Sequence, residues 1–234
     1  MKKIFNTVNL MRFVFITFIV SIIYSLIRIY LLSDTIPTSD IVIRSKSDYV
    51  IILIQCILGI IAMIIPKLLK QKAGLNIPSV MLIIYALFLY CGIYLGEVRN
   101  YYYRVPHWDT ILHAFSGIAL GALGFSIISL LNKSKLDYFS LSPGFVALFA
   151  FCFAVTLGVI WEINEFAVDF LFGINTQKYA LENGDLLIGQ AALFDTMKDL
   201  IVDSIGALAV SIIGYISLKY KKGWLDKFKI TYKK

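Results

Sequence analysis

The residues of this chain whose types and spacing could do chemistry are seven carboxylates and one imidazole. Asp109, Glu162, Glu165, Asp169, Asp195, Asp199 and Asp203 make up seven of the fifteen acidic residues, and His113 sits among them. All eight fall inside or at the ends of the last three hydrophobic segments. A carboxylate inserted into lipid costs a few kcal/mol on insertion scales, so such residues face a protein interior, a partner or a cavity. A carboxylate-rich group with one imidazole suits a hard or borderline divalent cation, with magnesium, manganese, calcium and zinc all open. Shared protons without a metal are the other chemistry such a group supports, because neighbouring carboxylates repel unless a cation or a proton lies between them.

Helical spacing decides which of these residues share a face. Asp109 and His113 are four apart, and Gly117 and Gly121 continue the same stripe, where small residues let a second backbone approach closely. Glu162, Glu165 and Asp169 fall within about a 60° arc. Asp195, Asp199 and Asp203 form an i, i+4, i+8 stripe that ends near Gly206 and Ala207. Bland alternatives exist for individual members. Asp109 and Asp195 could be helix N-caps, His113 could be satisfied by one hydrogen bond, Asp169 could reach the headgroups as a solvated charge, and Lys198 could neutralise one acid as an ion pair. Asp203, two turns inside its helix, is the hardest to explain as a solvated charge. The metal ligands expected from this pattern are Asp109, His113, Glu162, Glu165, Asp199 and Asp203, holding one or two divalent ions. Glu165 and Asp203 are the candidates for acid-base work on a substrate. His107, in the loop before, is a secondary ligand candidate. The Glu-x-x-His pairs of di-iron bundles are not present.

The segments that carry these residues mark an integral membrane protein. The chain has 234 residues, 59% hydrophobic and 16% charged, with net charge +7 and mean hydropathy +0.80, whereas soluble domains carry about 25% charged residues. The expected architecture is all-α and polytopic: a single membrane domain with spans at about 11–32, 49–66, 77–96, 109–131, 144–172 and 195–218, each long enough to cross the hydrocarbon. Pro66 is expected to end the second span, Pro78 to open the third, and Ser142-Pro143 to cap the fifth. The first segment has a basic start at Lys2 and Lys3, but Ser33-Asp34-Thr35-Ile36-Pro37 follows it without a small-residue cleavage site, so it reads as a retained helix. Cys56, Cys91 and Cys152 lie singly in apolar stretches with no metal-type spacing.

Lysine and arginine positions set the expected orientation. Fourteen lie at Lys2, Lys3, Lys67, Lys70, Lys72, Lys133, Lys135 and in the basic tail 219–234; five lie in the alternate connections, at Arg44, Lys46, Arg99, Arg104 and Lys178. Both termini are therefore expected in the cytoplasm, with the tail solvated or resting on anionic headgroups. Glu162 then stands about 27 Å above Gly144, and all seven acids come level in the outer half of the membrane.

At this point the residues resemble a known pattern. Asp109-x-x-x-His113-x-x-x-Gly117, Glu162-x-x-Glu165, and Asp195-x-x-x-Asp199 followed by Gly206-Ala207 resemble the YjdF-like family of bacterial inner-membrane proteins, over roughly residues 100–215. The Asp-x-x-x-His element has a looser likeness to VanZ-like membrane proteins. The resemblance implies a multi-pass cell-membrane location and the position of the site, not a reaction. The functional expectation is a metal-dependent enzyme acting on a lipid or lipid-linked substrate. The alternatives are a cation- or proton-coupled transporter, or a structural, partner-binding membrane protein. The lipid bilayer is the expected partner, and no nucleic acid is expected.

Overall fold

The computed structural model describes residues 6–32, 44–131, 141–181 and 184–232. Lys2, Lys3, Lys133, Lys135, Lys233 and Lys234 of the charge asymmetry, and the Ser33–Pro37 stretch after the first span, lie outside the described residues.

Six helices are long and apolar enough to cross a membrane. They are α1 (Thr7–Leu31), α2 (Lys46–Lys72), α3 (Ser79–Leu89, continued in wider π-helical turns over Tyr90–Val98), α5 (Trp108–Leu131), α6 (Pro143–Phe172) and α7 (Gln190–Lys219), with a one-turn α4 at Tyr101–Arg104 between the third and fourth. Their large apolar side chains point outward: Ile16, Val20 and Ile23 on α1, Ile160 and Phe166 on α6, and Ile201 and Ile205 on α7 are all more than half exposed. The buried faces of α5, α6 and α7 carry many small residues and the polar groups. That inversion is what helices surrounded by lipid require.

The described residues form two compact units, one built from α1 to α4 and the other spanning Asp109–Thr231. In the first, Val14 and Phe18 of α1 pack with Tyr49, Ile52, Cys56 and Met63 of α2 and Ala86 of α3. Ser45 caps α2 in a reciprocal capping box with Asp48. The expected stop at Pro66 does not occur, and α2 runs on to Lys72. Proline lacks the N–H that would serve the carbonyl four residues back. That carbonyl belongs to Ala62, and the Tyr85 hydroxyl of α3 donates to it at 2.9 Å. A neighbouring helix supplies the missing donor, so the helix passes through its proline.

In the second unit, Ser142 caps α6 by accepting from the Phe145 N–H, with Pro143 at the first helical position, as the Ser-Pro pair predicts. α5, α6 and α7 meet over glycines. A Cβ built on Gly117 would lie 2.5 Å from the Asp203 carbonyl oxygen, and one on Gly206 would lie 2.9 Å from the Ala114 carbonyl oxygen. Helix α5 therefore touches α7 backbone to backbone, the approach that the Gly117–Gly121 stripe predicts.

The basic tail is not wholly solvated: after α7 the chain turns back, burying Leu225 and Ile230. Ser126 of α5 donates to the Phe228 carbonyl at 2.6 Å and accepts from the Ile230 N–H at 2.8 Å. Two apolar side chains and a buried serine outweigh the pull of the lysines toward water, while the lysine head groups between them stay outside.

Candidate functional site

The site is built where the N-terminal turns of α5, the C-terminal half of α6 and the N-terminal half of α7 converge. His113 is its centre. Its side chain is 7% exposed, and its Nε2 faces three carboxylates, Asp109 Oδ1 at 3.8 Å, Glu162 Oε1 at 3.8 Å and Asp199 Oδ2 at 3.9 Å. These separations are too long for hydrogen bonds. On the other side of the ring, Nδ1 lies 3.0 Å from Asp203 Oδ2. The second Asp203 oxygen accepts from Ser116 Oγ at 2.8 Å. The ring is thus flanked by four acids, three on the side of Nε2 and Asp203 on the side of Nδ1.

The sequence-derived candidates thus separate into groups. Asp109, His113 and Asp199 each offer a ligand atom, and the three atoms lie within 4.8 Å of one another. Glu162 adjoins them, 4% exposed, and neither of its oxygens accepts a hydrogen bond from the described residues; nor does Oδ1 of Asp199, whose nearest cation is Lys198 at 3.6 Å. Asp203 has both oxygens engaged by His113 and Ser116, so its place is behind the ring. Asp203 reaches His113 because α6 carries no side chain at Gly158, where a Cβ would stand 2.7 Å from Asp203 Oδ2. Glu165 is half-buried and accepts from the Trp161 indole N–H at 3.0 Å. His107 sits exposed in the turn before α5, at φ 59°.

Three expectations for the outer acids change. Asp195 is not an N-cap, because α7 begins a turn and a half earlier at Gln190 with Gly189 as its cap. Asp109 is likewise inside its helix rather than capping it. Asp169 is not a solvated charge. It is 6% exposed and accepts from the Thr176 N–H at 2.7 Å, the Thr176 hydroxyl at 2.6 Å and the Gln177 N–H at 2.9 Å. The α6–α7 loop folds back onto it, which a helix-only reading of the sequence could not include.

That loop also supplies the cation missing from the sequence reading. Lys178 Nζ lies 2.5 Å from Asp109 Oδ2 and 3.0 Å from Asp195 Oδ2, and Lys198 Nζ lies 2.8 Å from Asp195 Oδ1. Burial by itself would lower the Lys178 pKa, but the Asp109 and Asp195 carboxylates overcome it and hold the ammonium above its ordinary value. Lys178 had only the signature of a lysine in a polar connection. Two lysines thus meet Asp109 and Asp195, while both oxygens of Glu162 and Oδ1 of Asp199 accept no hydrogen bond from the described residues.

Taken as a donor set, Asp109, His113 and Asp199 could hold a metal ion. Nitrogen and oxygen ligands about 2.0–2.6 Å from one ion lie at most about 4–5 Å apart, which is the spread of these three. Asp203 on Nδ1 fixes the orientation of the imidazole and turns Nε2 toward the other acids, as carboxylates on the far nitrogen of metal-bound histidines do.

Comparisons with known proteins place the chain. No solved structure matches it. A protein of Thermotoga maritima, described as an uncharacterized protein, is 34% identical over 122 residues, which cover 52% of this chain and 54% of that one. The match thus spans about half the length of the curated relative. The sequence profile of a family described as "Predicted membrane protein (DUF2238)" matches residues 10–220, from the first turn of α1 through the end of α7. With six apolar helices inside that match, the chain is a multi-pass membrane protein, and it belongs to the DUF2238 family of predicted membrane proteins, the YjdF-like group that its Asp109, Glu162 and Asp199 motifs resemble.

Proposed function

We propose that this protein is a metal-dependent membrane enzyme acting on a lipid or lipid-linked substrate, with one divalent cation held by Asp109, His113, Glu162 and Asp199. The observation that carries the reading is Glu162. It is buried, both of its oxygens are unpaired, and it lies 3.8 Å from His113 Nε2. An unpaired buried carboxylate is costly, and a cation among the four groups removes that cost.

A bound divalent cation would supply Lewis acidity toward an ester or phosphoester oxygen. The chain's own residues supply the rest. Asp203 positions His113, with one contact on each of its oxygens, from His113 Nδ1 and Ser116 Oγ. Glu165, one helical turn from Glu162 and steadied by Trp161, is the carboxylate placed to take up or return a proton. With both termini cytoplasmic, the cluster would open toward the outer leaflet. A transporter would need a polar route onward to the other face. Between the cluster and Ser211, the buried residues of α5, α6 and α7 include Gly117, Gly121, Ala122, Ala154, Gly206, Ala207 and Val210, closely packed and without a polar side chain, and this supports a closed site over a channel.

Elemental analysis of detergent-purified protein tests the proposal. The expected result is roughly one divalent ion per chain, lost in His113→Gln and Asp199→Asn and kept in Cys152→Ala. A parent protein that neither retains nor takes up a divalent ion overturns it. Orientation is tested separately on a background lacking native cysteines: a cysteine at Ile188, which is 88% exposed, should react with an impermeant reagent added outside intact cells, and one at Lys222 should not.

A further inference from the structure

We propose that Lys178 and Lys198 form the anion-binding edge of this site, and that the substrate group they receive is a phosphate ester. The inference rests on the divalent-cation reading of the neighbouring acids and adds the substrate class to it.

The loop after α6 is constructed to deliver Lys178. Asp169 gathers the Thr176 N–H, the Thr176 hydroxyl and the Gln177 N–H. The Gln177 side chain donates to Thr196 Oγ1 on α7 at 2.8 Å. The Asn175 side chain closes the next turn from both ends, donating to the Ala180 carbonyl at 2.7 Å and accepting its N–H at 3.0 Å. Lys178 stands between these anchors in the left-handed region, at φ 50°, which side chains other than glycine seldom adopt. Charge neutralisation alone does not ask for this. A lysine on a long flexible stem finds an acidic partner from many backbone positions.

The hydrogen-bond inventory shows what is left over. An ammonium has three donors. Lys178 spends two, on Asp109 and Asp195, and Lys198 spends one on Asp195 with a longer approach to Asp199. Asp195 takes one lysine on each oxygen and so holds both ammoniums against one small volume. Their side chains are 37% and 28% exposed, against 2% for Asp199 and 5% for Glu162. The acids are the more buried and the two lysines, which have donors to spare among the described residues, the more exposed. A ligand reaching that edge would meet the two ammoniums before the proposed cation. A phosphate group has several oxygens, enough to engage two ammoniums and a metal ion together. A neutral ester or a sugar hydroxyl offers those donors no charged acceptor.

Purified protein in detergent, loaded with Mn2+, provides the test by isothermal titration with three probes: inorganic phosphate, dihexanoyl phosphatidic acid and dihexanoylglycerol. Both phosphate-bearing probes should bind and dihexanoylglycerol should not. Lys178→Met and Lys198→Met should each weaken phosphate binding roughly tenfold, Lys178→Arg should restore most of it, and Mn2+ content should stay at the parent level in all three. Tighter binding of phosphatidic acid than of inorganic phosphate assigns the site to a lipid headgroup, and equal binding assigns it to free phosphate. Should Lys178→Met not fold, Lys198→Met and Lys178→Arg carry the comparison. The proposal is overturned if the parent binds no phosphate, if both lysine variants bind it as the parent does, or if dihexanoylglycerol binds equally well. Lysine-dependent phosphate binding by a protein that takes up no Mn2+ would instead remove the metal reading and leave the lysine edge standing.

Discussion

Glu97 and Glu162 are both glutamates near the ends of membrane-spanning helices, and they are satisfied in different ways. In the first unit, Glu97 of the α3 continuation accepts from the Gln55 amide of α2 at 3.0 Å, and its backbone carbonyl accepts from the Arg44 guanidinium. In the second unit, neither oxygen of Glu162 accepts a hydrogen bond from the described residues, and Glu162 stands beside the His113 ring together with two more carboxylates. A single acid among neutral and cationic groups is readily met by protein donors. Several acids around one imidazole repel one another. The first arrangement draws on donors from the protein, and the second gathers its carboxylates around one ring.

The largest effect should come from testing that contrast directly. A cation that binds only the folded state adds about 2.7 kcal/mol at a hundredfold excess over its dissociation constant. Chelating divalent ions should therefore lower the thermal midpoint in detergent, and adding an ion back should restore it. Glu162→Gln should blunt this response, while Gln55→Leu should lower the starting midpoint yet respond to chelation as the parent does. Equal responses in Glu162→Gln and the parent would break the comparison.

Next in size is the close approach beneath the cluster. Gly117→Ala would drive a methyl group into the Asp203 carbonyl, and overpacking of this kind costs about 1–3 kcal/mol. It should also displace Asp203 from His113 and reduce bound metal. Gly144→Ala, where a Cβ meets nothing within 4 Å, should lose neither stability nor metal. Metal content unaltered by Gly117→Ala would show that the Asp203–His113 contact does not hold the ring for the ion.

A smaller effect is expected at Asp169. In Asp169→Asn one face of the side chain becomes a donor opposed to the loop N–H groups, a loss of about 1–2 kcal/mol. Limited proteolysis between Ile174 and Ile188 should accelerate while bound metal stays near the parent level. If metal is lost in parallel, the loop clamp and the cluster are one cooperative unit. The smallest change belongs to the first unit. Tyr85→Phe strands the Ala62 carbonyl opposite Pro66 and should cost about 1 kcal/mol with the chelation response intact. An unchanged midpoint would mean that water or a local shift serves that carbonyl equally well.

How much of this was legible in the chain follows from which forces are local. Hydropathy located the six long helices, because each must satisfy its own backbone in lipid. The rotation per residue placed Asp109 with His113, and Asp199 with Asp203, on common faces, because helix geometry fixes that angle whatever surrounds it. The glycine stripe announced a close helix contact for the same reason.

What only the tertiary structure decided are the pairings between segments far apart in sequence. Helical spacing could not say that Asp203 would hold the back of the His113 ring while Asp199 faced its front. Nor could it show that Asp169 would turn inward to anchor a loop, that Lys178 would come from that loop to meet Asp109, or that Tyr85 would carry α2 through Pro66. Each is settled by distances of a few ångströms between packed elements, and hydrogen bonds and ion pairs depend steeply on such distances. The sequence by itself determined which faces are polar and in which helices; the packing of α5, α6 and α7 decided which of those polar groups meet one another and around which ring they gather.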